Sequence, residues 1–581
     1  DNIGQEVAGT NGGTFTILAD GSYTFDPGTD FDDLALEPGD EVATEVEYFV
    51  DANGADFASA TIRIVYFMDD INKDDPDLEP EYVLSTRTEI VFPQYAIDGL
   101  GGGGIAGSLF PDLESYIDAL LADAGVAGTS EALAVLNEGS ITTNGDGSPG
   151  IIARTISGTG RAGHDSCFFC SEPTAGGPGA NGGAIQVTNN GEITTNGDGS
   201  TGIYVLSRGG TGGQGGYGGT WWYGRSGGKG GRGGDVTITG DGSIHTSGYQ
   251  STGILAVSEG GIGGRGGDAD FATGGGRGGA GGNAGTVTVN SGIDITTEGD
   301  LSHGIWGLSI GGGGGVGGSA GWLGTASSGA GGNASDGGVV NLLSSGELIT
   351  LGDFSYGLYG QSVGGFGGRG GNAAGLFVSW GGHGASAGSG GHVTITNDEG
   401  GSIYTEGINS HGIFGQSIGG GGGSGGSGAA IVGLGGDAGA GGHGGLVDIT
   451  NAGEIETTGI NARGIYAQSI GGGGGDGGDS GGIAAIGGDG GVASHGGNVS
   501  VTNTGSIMTS LENAEAVFMQ SIGGGGGNGG HSGGLVSIGG DGAGGGDGGD
   551  LSFINEGSID TSGDSSIGVF MQSIGGGGGS G

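Results

Sequence analysis

A column of branched aliphatic residues recurs nine times along the chain: Ile141, Ile193, Ile244, Ile295, Leu348, Ile403, Ile455, Ile507 and Ile559. The steps between them are 52, 51, 51, 53, 55, 52, 52 and 52 residues. A second column keeps the same spacing: Ile151, Ile203, Ile254, Ile305, Leu358, Ile413, Ile465, Val517 and Val569. A period of this size, held over nine copies, predicts a solenoid in which each unit buries its apolar face against its neighbours.

One unit shows how the period is built. Read from His392 it runs "HVTITNDEGGSIYTEGINSHGIFGQSIGGGGGSGGSGAAIVGLGGDAGAGG". "VTIT", "SIYT" and "GIFGQSI" alternate apolar and polar residues, as half-buried strands do. The turns between them carry Asn, Asp and Gly, which tolerate left-handed backbone angles. No 3.6-residue pattern is present, so a helical repeat is excluded. Three strands fit one triangular turn of a parallel β-helix, each isoleucine stacking on its counterpart in the next coil. The fold class expected is therefore all-β, a glycine-rich β-solenoid over 136–581. One unit is expected to contribute one coil, with isoleucines a unit apart lying one strand spacing apart.

Two polar columns accompany the strands. Asn137, Asn189, Asn451, Asn503 and Asn555 begin the first turn; Gln361, Gln416, Gln468, Gln520 and Gln572 end the third strand. Amides in register can bond along the axis as ladders. The alternative is solvent-facing turn residues.

After each third strand comes a tract such as "QSIGGGGGNGG" at Gln520. Ordering such a segment is entropically expensive. Glycine is 166 of 581 residues against only 9 prolines, which is not the composition of collagen. A disordered linker would not keep apolar islands in phase, yet "TWWYG", "GWLG", "GLFVSW", "AAIVGL", "GIAAI" and "GLVSI" recur midway through successive tracts. Each tract is expected to be an ordered arm that goes out and back, with its islands stacked as a fourth column. Glycine would let neighbouring backbones approach closely.

Thirteen basic residues against 63 acidic ones leave a formal charge of −50, which excludes a nucleic-acid surface and invites divalent cations. No apolar run reaches the roughly 18–20 residues of a membrane span. The start, "DNIGQEVAGT", shows no basic and apolar leader, as expected if a signal peptide has been removed or was not included. The two cysteines, Cys167 and Cys170, form "CFFC". With no second CxxC, and with His164 insufficient to complete a zinc set, a small disulfide tying one exposed loop is the preferred reading.

Residues 1–68 follow a different grammar. "GGTFTILADGSYTFDPGTDF" gives two alternating strands around an Asp-Gly turn, and "EVATEVEYFVDANGADFASATIRIVYF" gives two more. A small β-sandwich is expected. Through "ADGSYTFDP" and "YFVDANGADFASATIRIV" this stretch resembles the cadherin-like and immunoglobulin-like repeats of large bacterial surface adhesins. The repeats, with "GIYAQSIGGGGGDGG" as their clearest form, resemble passenger regions of autotransporter-type outer-membrane proteins. That resemblance implies display at the bacterial cell surface, a β-solenoid stalk, and adhesion or cell–cell association. It departs from the family in that no membrane β-barrel follows; the chain stops at "QSIGGGGGSG", halfway through a unit. A longer chain, or completion by another subunit, is expected.

Between these parts lie an acidic linker over 69–100 and "LFPDLESYIDALLADAG", whose helical spacing suggests a cap for the open first rung within 101–135. In the linker, Asp70, Asn72, Asp74 and Glu81 match positions 1, 3, 5 and 12 of a calcium loop. Asp75 stands where that loop requires glycine, and a solvated acidic linker is the alternative. Calcium is the only cofactor the residues suggest.

Catalysis finds little support. The nine histidines are scattered, and no unit breaks the pattern to assemble a nucleophile with His and Asp. Chance GxGxxG matches are meaningless at this glycine density. The expectation is a non-enzymatic extracellular adhesin or self-assembling filament or matrix subunit, associating with its own copies or with a host or neighbouring cell. The alternative is a carbohydrate-binding or carbohydrate-cleaving β-helix that stacks Trp221, Trp222, Tyr223, Trp322 and Trp380 on sugar rings. Packing within the arm column is the commoner fate for such aromatics.

Overall fold

The computed structural model describes residues 130–166, 172–219, 222–270, 274–321 and 324–581, together with the strand backbones of an N-terminal unit. The chain divides into two compact units, 1–109 and 110–581. The N-terminal unit holds two three-stranded antiparallel sheets. One is built from Glu6–Ala8, Thr14–Ile17 and Tyr23–Asp26, the other from Glu41–Asp51, Phe57–Asp70 and Tyr82–Val91. The last of these strands corrects the sequence reading, because it lies inside the span taken as acidic linker. "YVLSTRTEIV" is rich in β-branched residues, and it pairs with Thr61–Asp70.

From Leu133 onward the chain is a solenoid. The three strands of each unit build three nine-stranded, all-parallel sheets. Strand Val393–Asn397 belongs to the first sheet, Ser402–Thr405 to the second and Ile413–Ile418 to the third. Pairing is residue for residue across the period: Ile403 lies opposite Leu348 on one side and Ile455 on the other. Each unit therefore makes one coil and advances by one strand spacing, about 4.8 Å.

The core is the inward face of these sheets. Ile403, Ile413, Val393 and Ile395 and their counterparts form one continuous buried cluster from Ile151 to Met519. Strands in such a stack cannot slip by one residue without turning the whole apolar set outward, so the aliphatic columns lock the register.

Between the second and third strands every coil turns through a left-handed residue. The position is held by Gly147, Gly199, Gln250, Leu301, Phe354, Asn409, Asn461, Asn513 and Ser565, with φ between 53° and 63°. Gly and Asn suit it; Leu301 and Phe354 sit there under strain. The cap helix expected within 101–135 falls outside the described residues, apart from the segment that opens the stack as strand Leu133–Asn137.

Candidate functional surface

The glycine tracts are ordered by their backbones. In the outgoing limb of the second unit, the N–H groups of Gly209, Gly212, Gly215 and Gly218 donate to Glu259, Ile262, Arg265 and Asp268 of the next rung at 2.8–2.9 Å. The residue after each, Gly210, Gly213 and Gly216, donates instead to Ala180, Gly177 and Thr174 in the returning limb of the previous rung. Returning along the same arm, Arg225, Gly228 and Gly231 donate to Gly216, Gly213 and Gly210. The bonding repeats every three residues, the period of the polyproline II helix. Every arm is thus a pair of threefold extended limbs, and the arms stack as two antiparallel layers.

This period explains "GGTGGQGGY". Two residues of each triplet face neighbouring backbones and the third, Thr211, Gln214 or Tyr217, faces outward. A Cβ on Gly213 would lie on the Arg161 carbonyl, and one on Gly228 on the Gly177 carbonyl. Glycine is required by close approach, much as at the axis of collagen. Overall composition disfavoured collagen, while the local GGx period was in plain view.

A serine column fastens the arms to the coil. Ser207 Oγ donates to the Gly183 carbonyl and accepts from the Gly234 amide, both at 2.8 Å, and Ser469 repeats this with Gly445 and Gly497. These serines are fully buried. Only the glutamine of "QSI" stood out in the sequence; the serine joins coil to arm. The glutamines do form a ladder: Gln361, Gln416, Gln468 and Gln520 each donate Nε2 to the next Oε1, at 2.6 Å and finally 3.0 Å to Gln572. Asn397, Asn451 and Asn503 do the same toward Asn555 at 2.8 Å. That ladder is interrupted where Gly240, Ser291 and Ser344 stand in for Asn. Asn397 Oδ1 is consequently left buried without a partner.

Outside the third sheet runs an aromatic band. Trp306, Tyr359, Phe414 and Tyr466 stack at centroid distances of 5.1, 4.9 and 4.6 Å. His303, Tyr356 and His411 stack beside them at 4.8 and 5.0 Å. Burial drives both histidines down to about 3, with the Arg463 charge adding to the effect at His411. Held neutral, each Nδ1 accepts a backbone N–H, from Tyr356 and Arg463 respectively, at 3.1 Å.

The apolar islands stack at the arm ends as a small parallel sheet that includes Val378–Trp380, Val432–Leu434 and Ser480–Ile486. The fourth column exists. Three of the aromatics expected to pack within it are instead partly exposed: Trp222 is 40% exposed, Tyr223 65% and Trp380 43%. Alternation is the reason. Ser379, Gly433 and Ala485 face the outgoing limb and are buried, so their larger neighbours must point outward. Leu376, Phe377, Ile431, Ile483 and Leu535 at the bends are exposed too. The tip segments 373–380, 428–434, 480–486 and 532–538 contain no charged residue, in a chain that has 63 acidic ones.

Most of the other sequence candidates lie outside the described residues. Asp70 ends a strand, while Asn72, Asp74 and Glu81 lie outside the described residues, as do Cys167, Cys170, Trp221 and Trp322. Among the described residues no three His, Cys, Asp or Glu side chains are grouped to hold a metal ion. No helix among them is long and apolar enough to cross a membrane. No family model, curated protein or solved structure matches the chain.

Proposed function

We propose that the protein is a non-enzymatic extracellular structural protein, a bacterial surface adhesin or self-assembling filament or matrix subunit that works through its row of arm tips. One observation carries this reading: an uncharged, exposed apolar ridge runs along a regular and strongly acidic stack. Soluble proteins rarely leave such a patch bare unless it meets a partner. The N-terminal unit and the repeats resemble adhesin repeats and autotransporter passengers, which is the source of the cell-surface assignment. Acidic bodies repel one another, so divalent cations should promote assembly by screening. Calcium held by Asp70, Asn72, Asp74 and Glu81 would stiffen the junction in the same environment.

Electron microscopy and light scattering across a calcium series test the reading. Calcium-promoted fibres or bundles are expected. Isolated particles at every protein and calcium concentration would remove its support. The exposure of Trp222, Tyr223 and Trp380 favours a second reading, glycan binding through stacked rings. Glycan capture that is lost on Trp222→Ala and Trp380→Ala, with the fold intact, would favour it over self-association.

A further inference from the structure

The returning limbs carry a charge gradient in register with the apolar tips. Backbone bonding between rungs aligns one outward column as Ser226, Arg277, Ala330, His383, Asp437, Asp489 and Asp541. A parallel column aligns Arg232, Asn283, Asp336, Ser389, His443, His495 and Asp547, basic at its start and acidic at its end. Exposed Lys229, Arg232 and Arg277 thus mark the early arms, and exposed Asp437, Asp489, Asp541 and Asp547 the late ones. Within the late arms the acids are stacked: the Asp489 amide donates to Asp437 Oδ1 at 3.0 Å and the Asp541 amide to Asp489 Oδ1 at 2.9 Å. The outward side chains of the tip sheet, Trp380 and Ile486 among them, come from the same returning strands.

We propose that the occupant of this surface is a second copy of the chain, docked through the returning-limb face with its solenoid axis antiparallel. The proposal rests on the self-association reading above and specifies its geometry. A parallel copy would set basic arms on basic and acidic on acidic. An antiparallel copy centred on the arm of Phe377 and Trp380 sets the arm of Lys229 and Arg232 against that of Asp541 and Asp547. It sets the arm of Arg277 against that of Asp489, and the arm of Asp336 against that of Asp437, where the outer charge pairs must outweigh the repulsion. Such a contact is isologous and self-complementary. The tip side chains are exposed in a row along the stack, Leu376, Phe377, Trp380, Ile431, Ile483 and Leu535 among them. The apolar tips supply affinity, while the flanking charges select orientation and accelerate encounter.

Sedimentation equilibrium on the whole chain tests this. A dimer is expected at about 100 µM. Phe377→Ser with Trp380→Ser should abolish it; both side chains are exposed, so the fold should survive. Lys229→Glu with Arg232→Glu, and separately Asp541→Lys with Asp547→Lys, should each weaken dimerisation at least tenfold. Mixing these two charge variants should restore a heterodimer. A wild-type chain that stays monomeric, a dimer indifferent to the tip changes, or a mixture that fails to pair would each overturn the proposal. Fibres that persist without this pairing would sink the geometry and leave the broader reading standing. Soluble pairs that never assemble further would do the reverse.

Discussion

Coil and arm stack the same rungs by different means. In the coil, side chains meet: Ile403 packs beneath Ile455, and the backbone ladder follows from the apolar columns. In the arm almost no side chain enters; Gly213 bonds to Gly177, and two backbone layers approach as closely as atoms allow. The coil gains from apolar burial, roughly 25 cal/mol per Å². The arm gains from saturating its backbone polar groups and from dispersion between dense layers, and it must offset the ordering entropy of glycine. An arm can hold its conformation only because the coil sets its ends one strand spacing apart. Its order is borrowed from the coil.

The contrast can be broken first on the coil side. Ile455→Ala opens a cavity in the continuous core and should cost about 2–5 kcal/mol in denaturation experiments, the largest effect expected of a single truncation here. Arms on the neighbouring rungs should loosen with it. A change confined to the coil would contradict the dependence of arm on coil.

Acid should act on the coil next. Burial lowers His303 and His411 to about 3 and keeps them neutral in the fold, while in the unfolded chain they titrate near the ordinary histidine value of 6.5. Between those values the unfolded state binds more protons, so their stabilisation is complete above about pH 6.5 and is lost as pH falls toward 3. By pH 5 the loss should be about 2 kcal/mol for each ring. Melting curves at pH 7 and pH 5 measure it. His303→Phe with His411→Phe should flatten the difference, at the expense of the ring nitrogens that accept from the Tyr356 and Arg463 amides.

Adjacent residues in one arm give a sharper comparison. Gly213→Val drives a side chain into the Arg161 carbonyl and should cost about 1–3 kcal/mol, read as lost amide protection in that arm. Gln214→Val, one residue along and exposed, should stay within about 0.5 kcal/mol. Equal effects would mean that the triplet has no inside and outside. One further change has the opposite sign. Leu301→Asn relieves a left-handed leucine at φ 55° and should raise the melting temperature, by about 1 kcal/mol in stability.

How much of this was readable depends on what carries the information. Alternation in "VTIT" and "SIYT" names strands because side chains decide them, and constant spacing at Ile403 and Ile455 names the stack. The amide columns were equally visible, since Gln416 and Gln468 occupy one position in successive units. The arms were legible as ordered but not as a structure: where two residues of three are glycine, there is no side-chain alternation, and only the interval of the third residue reports the threefold limb. The serine joint was hidden because Ser469 looks like any polar strand residue until its partners, 24 and 28 residues away, are known. The exposure of Trp380 was missed because an apolar island suggests burial, and only strand parity shows that Ser379 takes the inner side.

Hydrogen–deuterium exchange resolved to the arm amides tests the two-layer arm most directly. The amides of Gly210, Gly213, Gly228 and Gly231 each donate to a neighbouring limb. They should therefore be protected to an extent comparable with the coil strands Ile203–Arg208 and Val236–Gly240. Exchange of these glycines at the rate of a free chain, while the coil stays protected, would show that the arms are loose loops and would contradict the structure proposed for them.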